Sequence, residues 1–251
     1  ATPSLSATGD ITPKSLGIGA PTVATKVYDG NTIASVTPGS LSGIVGSDAV
    51  GVNATGSFDD RNVGTGKAVS ISLALTGADA GNYSLGTLSQ SATGDITPRA
   101  LSVAASTVAS KVYDGNTTAS VTPGSLSGDV AGDTLVVSAS GSFDTPNAGT
   151  GKTVNVSLAL SGADAGNYSL GTTSQTVTGD ITPKSLGIGA PTVATKVYDG
   201  NTTASVTPGS LSGIVGSDTV GVNATGSFDN RNVGTGKAVS IGLVLTGADA
   251  G

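Results

Sequence analysis

GADAGNYSL at residues 77–85 combines a turn with the start of a strand, and the chain repeats it. It returns in full at residues 162–170, and its first five residues return at 247–251. A D-x-G-x-Y pattern after an alternating strand is typical of a tyrosine corner, where the Tyr hydroxyl bonds to backbone a few residues upstream. The pattern therefore predicts an immunoglobulin-like β-sandwich whose turns are fixed by Tyr83 and Tyr168.

The repeat has a period of 85 residues, which is visible in matched tyrosines, phenylalanines and Asp-Ile-Thr-Pro segments. The matched positions are Tyr28, Tyr113 and Tyr198; Phe58, Phe143 and Phe228; and Asp10, Asp95 and Asp180. This period is too long for one solenoid unit and close to the ~100 residues of an immunoglobulin-like domain. We therefore expect tandem sandwiches, each with its own core. The predicted divisions are 1–9, the last strand of a preceding repeat; 10–94, the first repeat; 95–179, the second; and 180–251, an incomplete third.

Strands are indicated by a period of two in the apolar residues. Val69, Ile71, Leu73 and Leu75 alternate with small or hydroxylated residues, and the other repeats carry the same alternation. Apolar residues facing in and small polar residues facing out are typical of a half-buried antiparallel sheet. Each Asp-Ile-Thr-Pro junction contains a proline that restricts the backbone before it. We predict an all-β chain of tandem immunoglobulin-like antiparallel β-sandwich repeats that forms an elongated rod.

The repeats alternate between two types. Residues 10–81 and 180–251 differ at five of 72 positions, whereas residues 10–81 and 95–166 differ at 23. We name the first and third repeats type A and the second type B. One explanation is that unlike neighbours reduce misassembly of tandem domains. The other is duplication of a two-repeat unit, and the sequence leaves both open.

The composition excludes several classes of function. The 251 residues contain no Cys, His, Met, Trp or Glu, and the net charge is −6. Without His or Cys, neither a Ser-His nor a Cys-His catalytic pair can form, so we predict no enzyme and no catalytic residues. The acidic balance argues against a nucleic-acid partner, and no apolar stretch approaches the ~20 residues of a membrane span. The absence of Cys fits an exported protein.

Calcium at the repeat junctions is the one cofactor that the acidic residues leave open. Its candidate ligands are the junction and turn aspartates Asp95, Asp180, Asp29, Asp114 and Asp199. Calcium takes about six to eight oxygen ligands, but the chain has no D-x-D-x-D loop and no Glu. Asp beside Gly and Asn favours turn formation instead. We therefore predict no cofactor-binding and no metal-binding residues.

The motif KVYDGNT occurs at residues 26–32, 111–117 and 196–202, with Asp-Ile-Thr-Pro before it and GADAGNY after the first two copies. With these motifs in this order, the chain resembles the YDG-type repeat of large bacterial filamentous-haemagglutinin-like surface adhesins. The resemblance implies an exported fibrous protein at the cell surface, in which the repeats act as a spacer or stalk. It implies no catalytic or ligand-binding residue.

The expected function is a structural stalk or spacer segment of an extracellular bacterial adhesin or surface filament. The alternative is a repeated binding module for glycan, matrix or self-association, as in biofilm or fibre assembly. The expected partners are neighbouring repeats of the same chain, with like chains in a fibre and host or matrix glycans left open. We expect a secreted or cell-surface location, no nucleic-acid partner, and no membrane insertion of this segment.

Overall fold

A computed structural model describes residue 2 and residues 4–251. Strands dominate this part of the chain, and its only helical elements are two 3-10 turns, Ala80–Asn82 and Ala165–Asn167. Corresponding elements recur in the three repeats, so the predicted all-β class and the tandem arrangement are confirmed. Among the described residues, no helix is long and apolar enough to cross a membrane.

The sequence predicts that residues 1–9 form a strand, the last one of a preceding repeat. That prediction falls partly on Ala1 and Pro3, which lie outside the described residues. Residues 4–9 are described and belong to no strand.

The chain divides into two compact units. Unit 1 comprises Ala1–Ala104, Ser125–Ser138 and Ala159–Thr173, and unit 2 comprises Ala105–Gly124, Ala139–Leu158 and Ser174–Gly251. Unit 1 therefore holds the first repeat with part of the second, and unit 2 holds the rest of the second with the third.

The first repeat lies in unit 1 and forms two sheets and a strand pair. Its strands are β1 (Lys14–Ile18), β2 (Thr22–Val23), β3 (Lys26–Val27), β4 (Ile33–Ala34), β5 (Val36–Thr37), β6 (Leu41–Ser42), β7 (Gly51–Phe58), β8 (Gly64–Thr76), β9 (Tyr83–Leu85) and β10 (Ser89–Thr97). The sheet orders are β3-β10-β8-β7-β4 and β6-β1-β9, with β2-β5 as the pair.

Both sheets of the first repeat mix parallel and antiparallel strands. Strand β8 is antiparallel to β7 and β10, whereas β10 is parallel to β3, and β1 is parallel to β9. The prediction of purely antiparallel sheets is therefore wrong. The parallel partners are separated by long stretches of chain, so no hairpin fixes their direction.

The second repeat contributes to both units. Its strands are β11 (Arg99–Val103), β12 (Thr107–Val108), β13 (Lys111–Val112), β14 (Thr118–Ala119), β15 (Val121–Thr122), β16 (Leu126–Ser127), β17 (Val136–Phe143), β18 (Gly149–Ser161), β19 (Tyr168–Leu170) and β20 (Ser174–Thr182). The sheet β16-β11-β19 belongs to unit 1. The sheet β13-β20-β18-β17-β14 and the pair β12-β15 lie largely in unit 2.

The third repeat lies in unit 2 and has shorter sheets. Its strands are β21 (Gly187–Ile188), β22 (Thr192–Val193), β23 (Thr203–Ala204), β24 (Val206–Thr207), β25 (Leu211–Ser212), β26 (Gly221–Phe228) and β27 (Val239–Thr246). They pair as β21-β25, β22-β24 and β23-β26-β27. Residues 196–197, the counterparts of β3, form no strand, and the counterpart of β10 would follow residue 251.

Burial follows the predicted alternation. On β8, Val69, Ile71 and Leu73 are buried while the residues between them are exposed, and β18 repeats this pattern. These strands form because each apolar side chain reaches the core while its small neighbours face water.

The core of unit 1 crosses the boundary between the first two repeats. Its buried residues include Tyr28, Phe58 and Val69 from the first repeat together with Leu101 and Tyr168 from the second. The prediction of a separate core in each repeat is wrong here, because the ring of Tyr28 packs on that of Tyr168. The junction between repeats is therefore part of the core.

Candidate functional site at the repeat junction

In the first repeat, the GADAGNY turn fastens the loop that precedes β7. The hydroxyl of Tyr83 donates a hydrogen bond to Asp48 Oδ2 at 2.5 Å and accepts one from the Val45 amide at 3.0 Å. Asp79 Oδ2 accepts a hydrogen bond from the Ala49 amide at 2.7 Å. The Asp and the Tyr of the D-x-G-x-Y pattern therefore hold the same loop.

The two corner tyrosines are buried, but their partners differ from the predicted ones. Tyr83 and Tyr168 are each 7% exposed. Their hydroxyls reach amides 38 residues upstream, at Val45 and Val130, rather than backbone a few residues away. The nearby backbone is already paired within the 3-10 turn, which leaves the hydroxyl free to bind the distant loop.

In the second repeat, the same arrangement gains a member from the first repeat. The hydroxyl of Tyr168 donates to Asp133 Oδ2 at 2.6 Å and accepts from the Val130 amide at 2.9 Å. The hydroxyl of Tyr28 donates to the same carboxylate oxygen at 2.8 Å. Tyr28 belongs to the first KVYDGNT motif, so this motif contacts the following repeat.

The rings of Tyr28 and Tyr168 pack edge to face. Their centroids are 5.2 Å apart and their planes make an angle of 75°. This arrangement suits the charge distribution of aromatic rings. Tyr28 has no exposed surface, so the rings shield the carboxylate to which their hydroxyls bind. The contact therefore combines core packing with a polar anchor, by which we mean the hydrogen bonds of the Tyr28 and Tyr168 hydroxyls to Asp133.

Arg61 supplies positive charge at the junction. Its Nη1 lies 3.1 Å from Asp133 Oδ1, and its Nη2 lies 2.9 Å from Asp164 Oδ1. The side chain of Asp133 has no exposed surface, whereas that of Arg61 is 42% exposed. A buried carboxylate is costly unless it is paired and hydrogen-bonded. Asp133 meets both conditions with groups from two repeats.

A buried amide and a glycine complete the contact. Asn167 is 6% exposed; its Oδ1 accepts a hydrogen bond from the Val63 amide at 2.9 Å, and its Nδ2 donates to Asn62 Oδ1 at 3.2 Å. Gly30 has a φ of +81° and lies so close to Val130 that a Cβ would sit 2.8 Å from the valine Cγ1. The glycine of the KVYDGNT motif therefore serves both the turn and the close approach.

The family comparison accounts for nearly the whole chain. The model of the YDG domain matches residues 12–93, 97–177 and 182–251. The chain belongs to the YDG domain family. No curated protein and no solved structure matches it. Each matched segment contains one KVYDGNT motif, so the contact built on Tyr28 joins two consecutive YDG domains.

Burial and hydrogen bonding shift the acid–base behaviour of this junction. Burial, with the hydrogen bond to Asp133, raises the pKa of Tyr28 to about 12. Burial likewise raises the pKa of Tyr168. Burial alone would raise the pKa of Asp133 too, but the hydrogen bonds from Tyr168 and Tyr28 and the charge of Arg61 outweigh it and lower that pKa. At neutral pH the junction therefore holds two neutral phenols around an ionised carboxylate.

The junction between the second and third YDG domains keeps the tyrosine and changes the arginine. The neighbouring carboxylate of Asp218, the counterpart of Asp133, raises the pKa of Tyr113. Pro146 stands at the position that Arg61 occupies in the first domain. An ion pair like that of Arg61 therefore cannot form from this position. The two junctions of the chain therefore differ in charge, although each places the tyrosine of a KVYDGNT motif beside an aspartate of the next domain.

The structure separates the residues considered as calcium ligands. Each turn aspartate pairs with the lysine three residues earlier: Asp29 with Lys26, Asp114 with Lys111 and Asp199 with Lys196, at 2.7, 2.6 and 2.8 Å. The junction aspartates accept backbone hydrogen bonds: Asp95 from Gly66 and Asp180 from Gly151, at 2.8 and 2.7 Å. Within the described part of the chain, no group of three or more His, Cys, Asp or Glu residues could hold a metal ion.

The junction residues Asp133, Arg61 and Asn167 are not predicted from the sequence. An aspartate in a Gly-rich loop resembles an ordinary turn residue, and its partners lie in another repeat. The one available signal is the exchange of Arg61 for Pro146 between the two repeat types. This exchange removes a positive charge at a matched position. Once the contacts of Arg61 are known, it indicates that the two junctions differ in charge.

Proposed function

We propose that the chain is a structural spacer, a stalk segment of an extracellular bacterial adhesin or surface filament, whose YDG domains are joined by packed junctions. The observation that carries the proposal is the carboxylate of Asp133, which accepts hydroxyl hydrogen bonds from Tyr28 of one domain and Tyr168 of the next. A spacer must fix the position of one domain relative to its neighbour. Buried groups shared by two domains serve this purpose better than a bare linker.

The apolar surroundings of the anchor support a stiff junction. Domains joined only by a linker move relative to each other unless their interface is large and apolar. Here Val63 and Val130 pack against the buried cluster that contains Tyr28, Leu101 and Tyr168. In repeat arrays, the interface between neighbours adds to the stability of each repeat. The junction is therefore expected both to stabilise the domains and to limit bending.

For each YDG domain we propose an immunoglobulin-like β-sandwich, and for the array an elongated rod. The two sheets of the first domain, with the orders β3-β10-β8-β7-β4 and β6-β1-β9, are compatible with two layers. A rod is expected where successive domains contact their sequence neighbours. The absence of Cys supports secretion to the cell surface.

Small-angle X-ray scattering of the dilute 251-residue chain tests the spacer. We expect the distance distribution of an extended particle, and a broader distribution for the double variant Tyr28→Phe/Arg61→Ala, whose anchor is weakened. Tyr198→Phe is the matched control, because Tyr198 is 59% exposed and should leave the curve unchanged. A compact, globular curve for the native chain would contradict the proposal.

Binding assays separate the spacer from the alternative of a repeated binding module. A glycan array and a cell-binding assay with the 251-residue chain should show no saturable binding if the chain is a spacer. Saturable, dose-dependent binding to one class of glycan or matrix would favour the alternative.

A further inference from the structure

The KVYDGNT turn of each YDG domain surrounds the end of its own lysine with oxygen atoms. In the first domain, Lys26 Nζ lies 2.7 Å from Asp29 Oδ1 and donates a hydrogen bond to Asn31 Oδ1 at 2.6 Å. It also donates to the backbone oxygens of Asn31 and Ile33, at 3.0 and 2.9 Å. The side chain of Lys26 is 13% exposed. A primary amine is therefore held against the carboxamide of Asn31 and largely out of solvent.

The carboxylate of Asp29 touches the nitrogen atoms of both neighbouring side chains. Its Oδ1 pairs with Lys26 Nζ, and its Oδ2 accepts a hydrogen bond from Asn31 Nδ2 at 2.9 Å. A group that carries a proton from one atom to another must lie within hydrogen-bond reach of both. Asp29 meets this condition for the amine of Lys26 and the amide nitrogen of Asn31.

The carbonyl oxygen of the Asn31 side chain is polarised by two donors. It accepts a hydrogen bond from the Ile33 amide at 2.9 Å as well as the one from Lys26 Nζ. A backbone amide directed at such an oxygen stabilises the negative charge that develops when a nucleophile attacks the carbonyl carbon. A nucleophile, a proton carrier and an oxyanion donor therefore converge on one carboxamide.

The other two domains repeat this arrangement. In the second domain, Lys111 Nζ lies 2.6 Å from the carboxylate of the motif aspartate and 2.9 Å from the Oδ1 of the motif asparagine. In the third, Lys196 Nζ pairs with the aspartate at 2.8 Å and donates to the asparagine Oδ1. In both, the amide two residues after the asparagine donates to that oxygen at 3.0 Å. Each set of contacts lies within a single turn, so no other domain is needed to complete it.

We propose that the lysine and the asparagine of each KVYDGNT motif condense into an intramolecular isopeptide bond. Asp29 takes a proton from the Lys26 ammonium, and the free amine attacks Asn31 Cγ to form the Nζ–Cγ bond. Asp29 then gives the proton to Nδ2, and the Cγ–Nδ2 bond breaks. A second proton passes from Nζ through Asp29 to the departing ammonia, which leaves as ammonium and restores the carboxylate. The step needs no oxidant, reductant or other reactant.

The bond would close the turn that reaches the neighbouring domain. Tyr28 and Gly30 lie between the linked residues, and both contact the second domain in the junction described above. Holding reacting groups together in a folded turn favours the condensation, since the reaction is intramolecular. The inference does not rest on the spacer proposal, because each bond forms inside one domain whatever the array does.

Intact mass spectrometry of the denatured chain, measured after the 251-residue protein has been folded and incubated, tests the inference. We expect the mass to fall below the sequence mass of 23.8 kDa by one ammonia for each motif, three in all. The full sequence mass would overturn the inference.

A tryptic digest distinguishes this bond from a cyclic imide formed by Asn31 with its own backbone, which loses the same mass. Trypsin does not cut after an acylated lysine. The bond therefore joins residues 15–26 and 27–61 into one peptide that lacks one ammonia. A cyclic imide leaves the cut after Lys26 intact, so two separate peptides would overturn the inference.

Two matched lysine variants test the nucleophile. Lys26→Arg keeps the positive charge but replaces the amine by a guanidinium that stays protonated, so only the second and third motifs should lose ammonia. Lys14→Arg changes an exposed lysine of β1, and all three losses should persist. Equal losses in the two variants would overturn the role of Lys26.

A third variant tests the proton carrier. Asp29→Ala leaves Lys26 and Asn31 in place and removes the carboxylate between them. We expect the first motif to keep its ammonia while the other two motifs lose theirs. Loss of all three in this variant would contradict proton transfer through Asp29.

Discussion

Tyr28 and Asp133 are 105 residues apart in sequence, and the tyrosine hydroxyl donates a 2.8 Å hydrogen bond to the carboxylate. The two residues belong to consecutive YDG domains. The same oxygen accepts the hydroxyl of Tyr168, which anchors the loop of the second domain. The loop that receives the neighbour is therefore the loop that the domain's own tyrosine holds in place.

Replacing Tyr28 with Phe should lower the free energy of unfolding by about 1–2 kcal/mol, because a buried carboxylate loses one hydrogen-bond donor. Urea unfolding of the 251-residue chain measures the change. Tyr198→Phe removes the same hydroxyl from the matched position of the third domain, where it is 59% exposed. That control should have no measurable effect. An equal loss in both variants would contradict the role assigned to Tyr28.

Asp133→Ala should cost more than Asp48→Ala. Removing the carboxylate of Asp133 leaves two buried hydroxyls and the charge of Arg61 without their partner, with an expected loss of about 3 kcal/mol or more. Asp48 occupies the same position in the first domain and accepts the hydroxyl of Tyr83. The difference between the two variants in urea unfolding should be at least about 1 kcal/mol. Equal losses would show that the neighbouring domain contributes nothing to Asp133.

The positive charge that distinguishes the two junctions can be added to the second junction and removed from the first. Pro146→Arg places a guanidinium at the position that matches Arg61, and Asp218 and Asp249 are the counterparts of the two aspartates that Arg61 pairs with. We expect a higher melting temperature at low ionic strength and a smaller gain at 1 M salt, because exposed charges are screened. Arg61→Ala should show the opposite change with the same dependence on salt. A gain that is unaffected by salt would rule out the ion pair as its cause.

The stability of the chain should fall at high pH in a way that depends on Tyr28. Its pKa is raised to about 12 in the folded chain, so its contribution is fully present below the ordinary value near 10. That contribution is lost as the pH rises from about 10 to about 12, by on the order of 2 kcal/mol. Tyr28→Phe should flatten this part of the pH profile. A profile that is identical in the variant would contradict the burial of the phenol.

The contribution of Asp133 to the stability of the chain has the opposite dependence on pH. The pKa of Asp133 is lowered in the folded chain. Its contribution to stability is therefore present above the ordinary pKa of about 4 and is lost as the pH falls through the folded value. The acid limb of the unfolding profile should therefore be shallower in Asp133→Ala than in the native chain. An unchanged acid limb would exclude Asp133 as its source.

The sequence predicts what depends on local pattern. The alternation of Val69, Ile71 and Leu73 predicts the central strand because side chains on a strand face opposite sides in turn. The D-x-G-x-Y pattern correctly indicates that Tyr83 is buried. Its partner is missed, because the hydroxyl reaches a loop 38 residues away that no local rule connects to it.

Contacts between repeats are hidden by the repetition itself. Every repeat carries the KVYDGNT tyrosine, so the sequence alone does not show whether Tyr28 serves its own domain or the next one. The parallel pairing of β1 with β9 is also missed, since it depends on the path of the chain between them. Position along the array, rather than residue type, determines these contacts.

A double-mutant cycle on Tyr28→Phe and Asp133→Ala tests most directly whether the junction couples neighbouring YDG domains. The free energies of unfolding of the native chain, both single variants and the double variant give the interaction energy between the two side chains. The buried hydrogen bond predicts a coupling of at least about 1 kcal/mol. Additive effects within about 0.3 kcal/mol would mean that the two domains do not share this anchor.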